Sequence, residues 1–327
     1  MSGFDETFDW VVIGSGAGSM SSALVMRKAG KSAVVLEKTK FLGGTTAKSG
    51  GVMWIPNNRF MREAGDTDTT EAALTYLDAR PELDGGDAPG STREKRLTYV
   101  TEATRMVDFL VEQGIDLMRG HHFWPDYYDE QPGGCKTTRT VVAKPFNRKE
   151  LGPLASTLRE GFFEINTTLS EGMQFGHFRT NPESKKIFRR IALRTVRDKL
   201  LGRRFTTAGA ALQGRMIKAS VAAGVDLRIE SPAREIIIEN GRAVGVVTEK
   251  DGKPWRIGAR LGILVNAGGF AQNQAMRDKY IPNSRAEWSQ TPEGDTGDMH
   301  VELERLGGRL AQMDQMVGFQ MTMAPGT

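Results

Sequence analysis

The chain has 327 residues, 39% of them hydrophobic and 26% charged, with 44 basic and 40 acidic side chains and a net charge of +4. This is an ordinary globular composition, and no stretch approaches the roughly 18 uncharged apolar residues of a membrane-spanning helix. Cys135 is the only cysteine, which excludes a disulfide framework within one chain and predicts a reducing compartment, the cytoplasm. The first predicted element is a short apolar run, Trp10-Val11-Val12-Ile13, read as a buried parallel strand. Gly14-Ser15-Gly16-Ala17-Gly18-Ser19 follows, then a helix over Ser19 to Ala29 that Gly30 ends. A second strand, Ala33-Val34-Val35-Leu36, runs straight into Glu37. This is the order of a dinucleotide-binding βαβ unit. The glycines let the backbone turn tightly and approach a pyrophosphate, the helix N-terminus offers it free N–H groups, and the acid accepts from ribose hydroxyls. Ser19 stands where the third glycine of the pattern is usual, with an extra glycine at Gly18; a residue as small as serine still lets helix and strand pack closely.

The next segment has two Gly-Gly pairs, Gly43-Gly44 and Gly50-Gly51, flanking Thr45, Thr46 and Ser49. Such a loop lets backbone lie flush against a flat ring while its hydroxyls bond phosphate or ring heteroatoms; the alternative is an ordinary flexible loop. Helices are predicted over Glu71 to Asp78 and Arg93 to Glu112. His121 and His122 are read as loop residues, and with scattered histidines and one cysteine no structural zinc site is expected. Residues 185–204 carry nine basic side chains and one acid, a net +8 against −4 for the rest of the chain. Ile187, Ile191, Leu193, Val196, Leu200 and Leu201 are spaced for a helix with one apolar side. That pattern fits either a solvated helix over the core or a weak peripheral contact with an anionic membrane. It lacks interleaved aromatics and any nucleic-acid motif, so no nucleic-acid partner is expected. Residues 231–246 read as a β-hairpin, and Gly262-Ile263-Leu264-Val265 as a strand ending at Asn266-Ala267-Gly268-Gly269. The acidic start at Met1 has no apolar signal core, so no secretory signal is expected.

Glu37-Lys38, the Gly43-Gly44-Thr45-Thr46-Ala47-Lys48-Ser49-Gly50-Gly51 loop and Trp54-Ile55-Pro56 resemble the FAD-binding domain of the fumarate reductase and 3-ketosteroid dehydrogenase superfamily. The hairpin with Ala233, the strand end with Ala267 and Gly268, and Thr296-Gly297-Asp298 extend the match. Phe123-Trp124-Pro125-Asp126-Tyr127-Tyr128, followed by Pro132-Gly133-Gly134, resembles the Pro-Asp-Tyr-Tyr loop of the steroid dehydrogenase branch. The resemblance weakens near 155–205. It implies an α/β fold: a doubly wound Rossmann-like FAD-binding domain over 1–283, with a helical insertion at about 60–205, and the start of a second α+β substrate domain over 284–327. The tail from Gly318 to Thr327 is Gly/Met-rich, and the family's further tyrosines are expected beyond it, so the chain reads as a fragment.

The resemblance further implies FAD bound by Gly14, Ser15, Gly16, Ala17, Gly18, Glu37, Lys38, Gly43, Gly44, Thr45, Thr46, Ser49, Gly50, Gly51, Ala233, Ala267, Gly268 and Asp298. No histidine lies in the 45–54 loop, so non-covalent binding is expected. The implied reaction removes two hydrogens from adjacent carbons beside a ring ketone, with Tyr127, or Tyr128 if the register slips by one, as the active-site tyrosine. The implied substrate is small and apolar, such as a steroid. No second glycine motif serves a nicotinamide, so a separate electron acceptor is expected. Two alternatives stand beside this one. A fumarate-reductase-like alkene reductase would need Arg and His placed to hold carboxylates, and a non-catalytic FAD-binding fragment would need neither.

Overall fold

A computed structural model describes residues 3–79, 86–120, 124–161, 163–316 and 318. His121, His122, Phe123 and the tail over 319–327 lie outside the described residues. Strand β1 (Glu6–Ile13), helix α1 (Ala17–Lys28) and strand β2 (Ala33–Leu36) come first. They are followed by α2 (Gly44–Lys48), β3 (Met53–Trp54), α3 (Arg59–Glu63), α4 (Thr70–Asp78), α5 (Arg93–Glu112), β4 (Leu117–Arg119), β5 (Thr140–Ala143) and β6 (Phe146–Asn147). Then come α6 (Leu169–Gln174), α7 (Pro182–Leu200), β7 (Phe205–Thr206), α8 (Ala208–Ala222) and β8 (Asp226–Arg228). The last are β9 (Glu235–Glu239), β10 (Arg242–Lys250), β11 (Lys253–Val265), α9 (Gln274–Tyr280) and α10 (Asp298–Arg305). The predicted helices over 71–78 and 93–112 and the predicted hairpin are all present, the last as the antiparallel pair β9–β10.

The main sheet runs β8-β2-β1-β11-β10-β9. Its first four strands are parallel and its last two antiparallel. All four residues of β2 are buried, as an apolar run covered on both faces requires. Val12, Ala33 and Val35 face Ala23 of α1 on one side. Val11, Ile13, Val34 and Leu36 face the other, where Met299 of α10 joins them. Helices therefore cover both faces of a largely parallel sheet: the fold is α/β and doubly wound. Part of the segment expected to open a substrate domain is joined to this core, because α10 sits on the sheet and Glu302 accepts from the Ile236 N–H at 2.7 Å. Register aligns Ile13 with Leu36 on one side and Val265 on the other, so three strands end level at one rim of the sheet.

A second core lies behind α1. Met20 and Leu24 of α1 pack with Val107 and Leu110 of α5 and with Leu212 and Met216 of α8. Helix α8 is buried along most of its length, and its glycines are used for close approach: a Cβ on Gly214 would lie 2.4 Å from the Phe146 ring.

The basic helix α7 departs from its sequence pattern. Ile191 is buried and Ile187 half-buried, but Leu193, Val196, Leu200 and Leu201 are exposed. At about 100° per residue, position 187 lies close to 191, whereas 193, 196 and 200 fall on the opposite side of the helix. The six residues do not form one apolar side. Among the described residues, no helix is long and apolar enough to cross a membrane.

One buried ion cluster fixes the loop that carries the tyrosines. The Arg139 side chain is 2% exposed and forks onto Asp68, with Nη2–Oδ1 at 2.7 Å and Nε–Oδ2 at 3.0 Å. Its Nη1 donates to Asp126 Oδ2 at 2.7 Å. Asp126 also accepts from Trp54 Nε1 at 2.7 Å and from the Cys135 N–H at 3.0 Å. Trp54 stacks on Tyr76 and Tyr99, and the Arg139 guanidinium lies over its ring. Burial pulls the Arg139 pKa down, but the two aspartates outweigh it and hold it above the ordinary arginine value. Removing one partner of a buried ion pair leaves uncompensated charge and costs about 3–5 kcal/mol. Arg139→Ala is therefore expected to destabilise the chain by about that amount in urea unfolding, and an unchanged midpoint would contradict this role for the cluster.

Candidate cofactor site

The level strand ends open onto a cleft, at the place where doubly wound sheets bind ligands. Its floor is the turn after β1. Gly14 has φ +95°, and a Cβ on it would lie 2.3 Å from the Asn266 carbonyl oxygen. A Cβ on Gly18 would lie 2.6 Å from Asn266 Nδ2. Both glycines therefore let the start of α1 meet the end of β11. Ser19, in place of the third glycine, is fully buried and exchanges hydrogen bonds with Asn266, so the small side chain joins helix to strand. Helix α1 starts after Gly16 with no side-chain cap and no acid in its first turn. Its N–H groups and positive dipole end face the cleft, which suits an anionic phosphate.

Glu37 closes the second strand, with its side chain in the cleft wall and the residue 7% exposed. Ser15 Oγ donates to its Oε2 at 2.5 Å, and the Thr39 N–H and hydroxyl donate to Oε1 at 2.9 and 2.8 Å. A carboxylate has about four lone-pair sites, so this network holds Glu37 still and leaves capacity for a ribose hydroxyl. Lys38 Nζ reaches across the opening to Thr296 Oγ1 at 2.6 Å and Asp298 Oδ2 at 2.7 Å. Burial pushes the Asp298 carboxyl up, but Lys38 and Thr296 outweigh it and hold it below the usual carboxylate range. Lys38 and Asp298, each expected to touch the cofactor, thus also hold each other as a strap over the cleft.

Of the expected residues, Gly14, Ser15, Gly16, Ala17, Gly18, Glu37, Lys38, Gly44, Thr45, Thr46, Ala233, Ala267, Gly268 and Asp298 line this one cleft. Gly43, Ser49, Gly50 and Gly51 do not. Gly43, at φ +114°, turns the chain into α2, and its N–H donates to Ser15 Oγ at 2.9 Å. Ser49 Oγ is taken up by the Thr46 carbonyl and the Gly51 N–H. Gly51 packs backbone to backbone on α8, where its Cβ would lie 2.7 Å from Gly209. Tyr127 and Tyr128 do not line the cleft either. Tyr127 is 98% exposed, whereas Tyr128 is more covered and its N–H donates to Tyr76 Oη at 3.3 Å.

The cleft also contains residues the sequence reading missed. Asp295 is buried and accepts from the Gly269 N–H at 2.5 Å, bracing the turn after β11. It belongs to Gly294-Asp295-Thr296-Gly297-Asp298, a doubled Gly-Asp pattern that was visible. Arg159 had no such signal, since it comes from the stretch where the resemblance weakens. Its Nη2 donates to Thr39 Oγ1 at 2.9 Å, its guanidinium lies over Phe41, and its buried Nε has no hydrogen-bond partner. Burial pulls its pKa below the ordinary arginine value against the pull of Glu37 and Glu293. A half-buried cation with an unsatisfied N–H in the cleft wall fits a phosphate-bearing dinucleotide. A hydrogen bond to a charged group is worth about 1.5–3 kcal/mol, so Arg159→Ala is expected to weaken FAD binding by about ten- to a hundredfold, read by quenching of flavin fluorescence. An unchanged dissociation constant would exclude Arg159 from the site.

The family model described as FAD binding domain matches residues 9–324. The 3-oxosteroid 1-dehydrogenase of Mycobacterium tuberculosis strain H37Rv is 32% identical over 323 residues, covering 94% of this chain and 56% of that enzyme. The 4-oxocyclohexanecarboxylate 2-dehydrogenase of Sinomonas cyclohexanicum is 32% identical over 313 residues, covering 93% of this chain and 50% of that enzyme. The crystal structure of the 3-ketosteroid delta1-dehydrogenase from Sterolibacterium denitrificans, in complex with 1,4-androstadiene-3,17-dione, superposes with a TM-score of 0.86 at 30% identity, covering 98% of this chain and 58% of that one. The chain spans about half the length of the curated relatives it matches. The open first turn of α1, the glycine approach to Asn266 and the poised Glu37 agree with the family match: the chain belongs to the FAD binding domain family, and its cofactor is FAD.

Proposed function

We propose that the chain is the flavin-binding part of an oxidoreductase that removes two hydrogens from adjacent carbons of a 3-ketosteroid-like ring ketone. The observation that carries this reading is the join between the cofactor loop and the tyrosine loop. Trp54, three residues beyond Gly51, donates to Asp126, and Tyr127 follows directly with an exposed ring. The similarity to ring-ketone dehydrogenases supports the same reaction class.

Bound FAD would supply the hydride acceptor. The residues of this chain would handle position and protons. A C–H beside a carbonyl gives up its proton when the developing charge on oxygen is stabilised. Tyrosine, with an ordinary pKa near 10, takes part when hydrogen bonds hold it in a proton chain. Tyr127 is assigned to position or hydrogen-bond the proton-accepting group. Tyr128, whose ring is more covered than that of Tyr127, is the second choice. The FAD is held non-covalently, and the electrons leave to a separate acceptor. The FAD domain is assigned residues 1–283 together with 294–305, whose α10 packs on the sheet, and the rest of 284–327 is assigned to the start of a substrate domain. The proposed setting is the cytoplasm, with a weak peripheral membrane contact through 185–204, because an apolar ketone partitions into lipid.

The test is an anaerobic visible spectrum of the 327-residue chain before and after a 3-ketosteroid. Bleaching of the flavin band is expected, and Tyr127→Phe is expected to slow it by about a hundredfold while FAD stays bound. A yellow chain that no 3-ketosteroid bleaches would contradict the proposal. Bleaching by a monocyclic oxo-acid alone would replace the steroid with a smaller ring ketone.

A further inference from the structure

Residues 126–135 form a closed loop. The Asp126 N–H donates to the Cys135 carbonyl at 3.0 Å, and the Cys135 N–H returns to Asp126 Oδ2 at 3.0 Å. Within the loop the Gln131 N–H donates to the Tyr128 carbonyl at 3.0 Å, and the Gly134 N–H to the Gln131 carbonyl at 2.9 Å. The far side of the loop is docked on its neighbours. Gly133, at φ +76°, lies against α4, where a Cβ would have no room beside the Ala72 carbonyl oxygen. The Gly133 carbonyl accepts from Arg139 Nη2 at 3.0 Å. The Tyr127 ring stands outside this framework, 98% exposed, one residue from the point where the loop closes.

That closing point is Asp126, whose side chain is 1% exposed. A buried carboxylate is costly unless both oxygens find donors. Oδ2 takes Arg139 Nη1 and the Cys135 N–H. Among the described residues, the donor to Oδ1 is Trp54 Nε1, at 2.7 Å. The indole is itself fixed from the cofactor side. Trp54 pairs with Thr140 between β3 and β5, and the next N–H, of Ile55, donates to the Arg139 carbonyl at 2.9 Å. Three residues earlier Gly51 packs on Gly209 of α8. The indole ring stacks on Tyr76 and Tyr99, with centroids 5.8 and 6.1 Å away. Its N–H therefore reaches Asp126 from a ring held in place, and carries the position of the strand after the cofactor loop to the backbone beside Tyr127.

We propose that Trp54 is the positioning residue of Tyr127: its indole N–H, through Asp126, holds the 126–135 loop closed and sets where the tyrosine stands for its part in proton handling. Trp54 acts through Asp126 and not on the reacting atoms. The kinetic side of this proposal rests on the proposed ring-ketone reaction, and the closure of the loop does not.

The test is Trp54→Phe, which keeps a ring in the stack and leaves Asp126 Oδ1 without its donor. The first readout needs no substrate. Chymotrypsin cuts after aromatic residues, so a loop that opens more often is cut faster at Tyr127 and Tyr128, read by mass spectrometry of the FAD-bound chain. Loss of a hydrogen bond to a buried charge is expected to speed this cut about tenfold or more, with FAD still bound. Asp126→Asn, which keeps the shape of the side chain and removes its charge, is expected to speed it as well. Tyr99→Phe is the control. It removes the hydroxyl that bonds the Trp54 carbonyl and leaves Asp126 its donors, so cutting at the rate of the unaltered chain is expected. The second readout is flavin bleaching by a 3-ketosteroid. Trp54→Phe is expected to slow it about tenfold in the unaltered chain but less than about twofold beside Tyr127→Phe, because a residue that acts through Tyr127 has nothing to act on once that hydroxyl is gone. Unchanged cutting in Trp54→Phe, equal acceleration by Tyr99→Phe, or equal slowing of bleaching in both backgrounds would each overturn the proposal. If no 3-ketosteroid bleaches the unaltered chain, the substrate reading fails, and the cutting rates alone decide whether Trp54 holds the loop.

Discussion

The site depends on the approach of two backbones. The turn after β1 passes so near the end of β11 that a side chain at Gly14 has no room, the gap to the Asn266 oxygen being 2.3 Å from a would-be Cβ. That contact brings the β1 and β11 strand ends together at one rim, starts α1 there and points its N-terminal end into the cleft, where the Ala17 N–H already donates to Thr46 Oγ1. Gly18 and Ser19 continue the same seam along the helix. Larger residues would push α1 off the sheet and widen the floor on which a pyrophosphate can rest.

Around this floor the charges are arranged in pairs and networks. Glu37 is held by Ser15 and Thr39, and Ser15 in turn accepts from Gly43, so the first glycine turn, the second strand end and the second glycine turn are tied together. The Lys38–Asp298 strap joins residues 260 apart in sequence. It is partly exposed, so its value lies in bringing 294–298 over the cleft more than in stability. The buried Arg139 cluster joins Asp68, Asp126 and Trp54 on the other side, and so couples the tyrosine loop to the strand that follows the cofactor loop.

Much of this was legible in the sequence because local chemistry dictated it. An apolar run, a glycine turn, a helix and an acid can be read in order, and each landed on the same cleft. The Thr-Gly-Asp element was legible as a motif, but not its partner, because Lys38 is far away in the chain. Arg159 was not legible: nothing near it in sequence marks a site, and only the pairing of Leu158 with Leu42 brings it there. The second Gly-Gly pair was legible as a tight backbone segment, but its neighbour Gly209 was not, since that contact depends on how α8 packs. Helix α7 misled for a different reason. Its apolar residues were counted as one set, whereas the inward face was decided by two acids, Glu171, which pairs with Arg190 and Arg194, and Asp198, which accepts from Asn166.

The account stands most directly on the close approach at Gly14. FAD affinity of Gly14→Ala, set beside Gly30→Ala, tests it. Both glycines have positive φ, so both variants carry a similar backbone cost of about 1–2 kcal/mol, but a Cβ on Gly30 meets nothing within 4 Å. The account predicts that Gly14→Ala loses FAD while Gly30→Ala keeps it at the affinity of the unaltered chain. FAD bound equally by both would contradict the claim that this seam forms the cofactor site.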